Sequence, residues 1–215
     1  MPLQNRVTPA GAIIATPHRG LLMGNRGGAF HLPDRSLGSR RWASRQWIAC
    51  VLDFKGRHRP AMMQPNRYTE LFFLDEATAL AAGHRPCFEC RRRDAERFAG
   101  LWAQTRHWPA PARAPEMDLV LQAERVGRQG QKITFMAQLG SLPSGTFVRL
   151  PNEADAQSYL VGEDLLFAWS PAGYLNAQAL NRRRPVEVLT PRSIVAVLSA
   201  GYRPMLHPSA AHSCG

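Results

Sequence analysis

Cys87 and Cys90 form a Cys-x-x-Cys directly after Arg85-Pro86, and of all residues in the chain they offer chemistry most directly. Two thiols at that spacing on a tight turn converge on one point and supply half of a tetrahedral zinc site. The same spacing serves a thioredoxin-like redox pair, or two cysteines that are simply buried. Spacing alone leaves all three open. Glu70, Asp75, Glu76 and His84 lie close by in sequence and could supply acid and base. Asp75 is better explained as a helix cap, however, and no paired-carboxylate metal motif stands out.

The flanking residues dictate how the two cysteines are held. Tyr68 to Leu74 is aromatic and apolar and reads as a short, mostly buried strand. Asp75 can accept from the free N–H groups of a helix start, and Glu76 adds favourable charge in its first turn. Ala77 to Ala82 carry the helix, Gly83 suits the left-handed residue that ends it, and Pro86 stops it resuming. After Cys90, Arg91-Arg92-Arg93 open a second helix whose buried face is Phe98, Leu101 and Trp102. Three arginines there oppose the helix dipole at a cost of a few tenths of a kcal/mol each, roughly. Nearby thiolates or a bound phosphate would offset that cost.

The run ATALAAGHRPCFECRR resembles the second half of the Ada-type metal-binding domain, closely over residues 69–93. In that family a strand and an A-L-A-A-G-[FY]-R-P-C-x-x-C stretch deliver two of four zinc ligands. The resemblance implies a small zinc-stapled unit. The first half departs from the family: its Cys-Arg-Pro-x-Cys loop corresponds here to His58-Arg59-Pro60-Ala61-Met62, after the strand-like Trp47 to Phe54. A histidine can replace a thiolate on zinc, whereas a thioether is a poor ligand. The expected metal ligands are therefore Cys87, Cys90, His58 and His31, with Cys50 as the main alternative. Cys50 stands inside its strand, several residues from the metal-side end, which argues against its reaching the site. In the family the first-half cysteine accepts a methyl group from a DNA phosphotriester. No cysteine stands at that position here, so methyl transfer is not carried over.

At 215 residues and 45% hydrophobic, the chain has the composition of a folded protein of one or two small domains. No apolar run reaches membrane-span length and the first residues lack a signal-peptide pattern, so the expectation is a cytoplasmic protein. Four cysteines, two of them in one Cys-x-x-Cys, argue against a disulfide framework. Net charge is +11 and uneven: residues 1–113 hold 18 Lys and Arg against 8 Asp and Glu, and residues 114–215 hold 9 against 8. The basic half points to a polyanionic partner. Arginine outnumbers lysine 25 to 2, a bias that a GC-rich genome also produces without selection for binding.

The expected fold class is α+β. Residues 1–108 form a basic Ada-like α/β domain, 109–116 a Pro/Ala linker, and 117–215 a small β-rich barrel or sandwich with a C-terminal helix. Within the first domain, Ala12 to Ala15 reads as a brief strand, RGLLMGNRGG as sharp turns, and Arg40, Arg41, Trp42, Arg45 and Trp47 interleave charge with aromatic faces. That interleaving suits single-stranded nucleic acid, and equally a helix whose tryptophans enter the core. Beyond the linker, Leu119 to Val126 and Ile133 to Leu139 read as a hairpin, followed by strands at 146–150, 159–161, 165–169 and 186–189. Thr190 and Pro191 then start a helix that ends at Gly201.

These features converge on a DNA-associated nucleic-acid-binding protein. One zinc ion would hold the turn, while Arg57, Arg59, Arg85, Arg91 and Arg92 pair with phosphates. Two alternatives stand beside it: a nucleic-acid-processing enzyme (nuclease or repair factor), and a zinc/thiol redox sensor.

Overall fold

The structure, a computed structural model, describes residues 1–56, 61–65, 67–151 and 157–211. Arg57, His58 and Arg59 lie outside the described residues. The first half contains β1 (Gln4–Val7), β2 (Ile13–Ala15), β3 (Leu22–Arg26), β4 (Trp47–Val51), β5 (Leu71–Phe73), α1 (Glu76–Ala81), β6 (Arg85–Pro86) and α2 (Arg92–Gln104). The second contains α3 (Ala114–Arg125), β7 (Phe135–Gln138), β8 (Phe147–Arg149), β9 (Ser158–Val161), β10 (Leu165–Ser170), β11 (Gly173–Ala179), β12 (Pro185–Val188) and α4 (Arg192–Ser199). The fold is mixed α+β. Among the described residues it has two six-stranded sheets, ordered β2-β1-β5-β3-β4-β6 and β11-β10-β9-β8-β12-β7.

Helix α1 is the hub. It is only six residues long, yet every one of them is buried, and four of the six are Ala or Leu. Ala79 and Ala82 pack on Val7, Leu71 and Phe73 of the first sheet. Ala77 and Ala81 pack on Phe147, Leu160 and Tyr174 of the second. Leu80 joins Phe98 and Trp102 of α2, Met117 and Leu121 of α3, and Ile194 and Val197 of α4. Ala112, from the expected linker, belongs to this last cluster.

Local chemistry fixes both ends of α1. Asp75 Oδ1 accepts from the Thr78 N–H at 2.9 Å, the expected cap. Gly83 follows with φ +91°, and a Cβ there would lie 2.6 Å from Arg125 Cδ. Both the left-handed conformation and the close approach of Arg125 require glycine.

The strand expected over 119–126 is corrected: residues 119–125 belong to α3, and only Val126, just past its end, is extended and bridges to Lys132. The Glu116 carboxylate accepts from the Arg113 N–H at 2.8 Å, and a proline stands in the first turn, both helix-start signals. Met117 and Leu121 are buried one turn apart, while Leu119 is 58% exposed; that is helical periodicity. Strand β7 therefore pairs with β12 instead of folding back on 119–126. Thr190 is likewise no cap: its hydroxyl accepts from the Phe147 N–H at 2.8 Å, tying the start of α4 to β8.

Candidate functional site

Strand β6 is only two residues long, but its register decides the site. It runs parallel to β4, with Ile48 opposite Arg85 and Ala49 opposite Pro86. The Cys87 N–H extends this ladder to the Ala49 carbonyl at 3.0 Å. Cys50 thereby comes beside the Cys-x-x-Cys turn, and the sulfurs of Cys50, Cys87 and Cys90 all lie within 4.8 Å of one another. Three zinc-bound thiolates at Zn–S distances of about 2.3 Å would stand about 3.8 Å apart. Small side-chain adjustments bring the three sulfurs to that geometry, so the group could hold a metal ion.

The electrostatics suit that role. The Cys87 sulfur receives hydrogen bonds from the Cys50 and Cys90 thiols and from the Cys90 and Glu89 N–H groups, which together hold its pKa well below that of a free thiol. The Glu89 N–H lies 3.4 Å from the sulfur. Cys50 is pushed the other way, because its proton bridges to Cys87 and Cys90 and because it is buried. A metal ion would take the place of these shared protons.

Two of the residues weighed as ligands are placed differently from expectation. Cys50 joins the site, because what matters is its pairing with β6 and not its distance from the end of β4. His31 turns both ring nitrogens elsewhere: Nδ1 lies 2.8 Å from Thr69 Oγ1, and Nε2 lies 3.1 Å from the Gln64 carbonyl. That carbonyl can only accept, so Nε2 carries the proton in the neutral ring and Nδ1 accepts from Thr69.

The arginines expected to meet phosphate are also placed otherwise. Arg85 is 5% exposed and forms a bidentate pair with Asp118, Nε to Oδ1 at 2.9 Å and Nη2 to Oδ2 at 2.7 Å. Arg91 is enclosed between Glu76 at 2.9 Å and Asp94 at 2.7 Å. Among the described members of this set only Arg92 is open to solvent, and it bridges to Glu96 one turn on at 2.8 Å. The carboxylates of Glu76, Asp94 and Glu96 therefore balance Arg91 and Arg92 at the start of α2.

Nor do the candidate acids and bases form an open constellation. Glu70 is 3% exposed and accepts from the Met63 N–H at 2.7 Å. Asp75 caps α1 and also accepts from the Tyr174 hydroxyl at 2.6 Å and the His207 N–H at 3.0 Å. Glu76 accepts from the Tyr202 hydroxyl at 2.7 Å and the Met205 N–H at 2.9 Å. His84 is fully buried and held neutral by burial and by Arg26 and Arg125. These groups tie the chain together.

Open positive charge lies elsewhere, around Trp42. Arg40, Arg41, Trp42 and Arg128 line one groove together with Ser39, Ala43, Gln129 and Gly130, and among the described residues no carboxylate lines it. Arg40 and Arg128 are exposed, whereas Arg41 and Trp42 are half-buried. The Arg-Arg-Trp run made this segment legible in sequence. The contribution of Arg128 was not, because it comes from the turn after α3. No family model, curated protein or solved structure matches this chain.

Proposed function

We propose that this chain is a nucleic-acid-binding protein, DNA-associated, in which one zinc ion on Cys50, Cys87 and Cys90 staples β4 to the turn before α2. The observation that carries the binding reading is the carboxylate-free groove of Arg40, Arg41, Trp42 and Arg128. Guanidinium groups around an indole offer phosphate pairing and base stacking together, which is how single strands are held without sequence preference. Zinc is the metal favoured by three convergent thiolates in a tight turn, and the Ada-type resemblance of residues 69–93 supports the same choice. His58, which follows β4 in sequence, is the proposed fourth ligand. The metal's role is structural: it fixes the turn between β6 and α2.

The test is a salt titration of binding to a labelled single-stranded oligonucleotide. Log affinity should fall linearly with log salt, and Arg40→Ala and Arg128→Ala should each reduce the slope by about one. Affinity and slope unchanged in both variants would overturn the groove assignment.

A further inference from the structure

Beside the open groove, and sharing Arg41, Trp42 and Gly130 with it, lies a deeper cavity of about 400 Å³. Four cations face it: Arg26, Arg41, Arg125 and Lys132. Among the described residues, no carboxylate lines it. Arg26 and Arg125 are 2% and 1% exposed, and each guanidinium lies 4.0 Å from the ring centre of Trp47.

Among the described residues, every hydrogen-bond partner of these two arginines is uncharged. Arg26 donates to the carbonyls of Gly11 and Arg41 and to His84 Nε2. Arg125 donates to the carbonyls of Gly83 and Arg45 and to Gln122 Oε1, and its buried Nε has no partner. Lys132 donates to the Ala81 carbonyl at 2.6 Å. Ala81 and Gly83 belong to the C-terminal end of α1, but a helix end offers only about half a negative charge, against four cations. Asp118 attracts Arg125 from farther off, yet it is already held by both arms of Arg85. Burial lowers all three groups: Arg26 to about 9, with Arg125 and Arg41 adding to it; Lys132 to about 7, with Arg26, Arg125 and Arg149 adding; and Arg125 to about 9, where Asp118 opposes the shift and Arg85 adds to it.

Enclosed, mutually repelling cations without an acid are a binding site for an anion. The cavity is too large for a bare phosphate, and its volume is that of pockets for small organic ligands, which start at about 300 Å³. Trp42 supplies an aromatic face at the rim. We propose that this cavity binds a phosphate monoester carried on a base, with Arg26, Arg41, Arg125 and Lys132 around the phosphate and Trp42 stacked on the base. The ligand is a free nucleoside monophosphate or the phosphorylated end of a strand. The site rests on the nucleic-acid reading only for the second source.

The test uses the full-length, zinc-loaded protein and calorimetric titration with AMP, adenosine and inorganic phosphate. AMP should bind, with adenosine and inorganic phosphate each at least about tenfold weaker. Arg41→Ala and Lys132→Gln should each weaken AMP by about tenfold. A readout without substitutions is mass-spectrometric acetylation, in which AMP should protect Lys132 while the exposed Lys55 reacts unchanged. A 5′-phosphorylated oligonucleotide binding about tenfold more tightly than its 5′-hydroxyl form identifies the strand end as the source. Equal oligonucleotide affinities with AMP still protecting Lys132 identify the free nucleotide. The proposal is overturned if AMP leaves Lys132 labelling unchanged, or if adenosine binds as well as AMP. Groove binding by a 5′-hydroxyl strand, lost in Arg40→Ala and Arg128→Ala, can persist in either case, so the two readings fail separately.

Discussion

Cys87 donates its backbone N–H to the carbonyl of Ala49, the residue before Cys50, at 3.0 Å. That one bond continues a parallel ladder only two residues long and brings the Cys50 sulfur to the Cys-x-x-Cys turn. The three-cysteine group is thus a join between elements far apart in sequence: a strand of the first sheet and the loop leading into α2. Removing the metal should loosen this join and the start of α2, while the second sheet, which contributes no ligand, is affected less.

Asp118 is the partner of a buried guanidinium, and its loss leaves Arg85 charged and enclosed. Asp118→Ala should destabilise the protein by about 3–5 kcal/mol in urea denaturation. The double substitution Arg85→Met with Asp118→Leu should recover most of that loss, since two apolar groups can replace a buried pair. A double variant as unstable as the single one would show that the pair does more than neutralise itself.

Arg91 and Arg92 are neighbours in sequence with opposite surroundings. Arg92→Ala should change stability by less than about 0.5 kcal/mol, because its bridge to Glu96 is exposed. Arg91→Ala should cost about 3 kcal/mol, because Glu76 is left enclosed without its cation. Neither should alter the salt slope of strand binding. A reduced slope in Arg92→Ala would return the start of α2 to the interface.

Burial, then Arg26, Arg125 and Arg149, lower Lys132 from 10.5 to about 7. Between those values the unfolded chain holds this proton and the folded chain does not, so folding becomes more favourable as pH rises from about 7 to about 10.5. The stability of the wild type relative to Lys132→Met should therefore climb across that window. Parallel stability curves for the two proteins would contradict the lowered value.

Asp75 joins α1 to β11 through the Tyr174 hydroxyl and to the chain's last described residues through the His207 N–H. Asp75→Ala removes the cap and leaves both donors without their partner, a loss of about 3 kcal/mol. Amide exchange at His207 should accelerate more than exchange within β10. Uniform acceleration would mean that the carboxylate acts on global stability alone.

The sequence foretold α1 and its turn because every signal there is local: Asp75 as cap, Gly83 at positive φ, Pro86 as stop. Cys50 was judged by its place along its own strand, and the pairing that brings it to the site involves Arg85-Pro86, a dipeptide with no strand signature. Residues 119–126 misled because Leu119, although exposed, completed an apparent alternation; the Glu116 capping signal and the Met117–Leu121 spacing carried the helix. Charge counting identified the basic half but could not tell which arginines are paired. Arg85 and Arg91 find acids on or next to other helices, whereas Arg40 and Arg128 meet only across a groove formed by two distant turns.

The metal content of the purified protein, measured by mass spectrometry beside Cys50→Ser, tests the central claim most directly. Cys50 is the proposed ligand that the fold supplies and the Cys-x-x-Cys spacing does not. About one zinc per chain in the wild type, lost in Cys50→Ser as completely as in Cys87→Ser, is the predicted result. Full zinc retention in Cys50→Ser, or a wild type purified from zinc-replete cells that carries no metal, would contradict it.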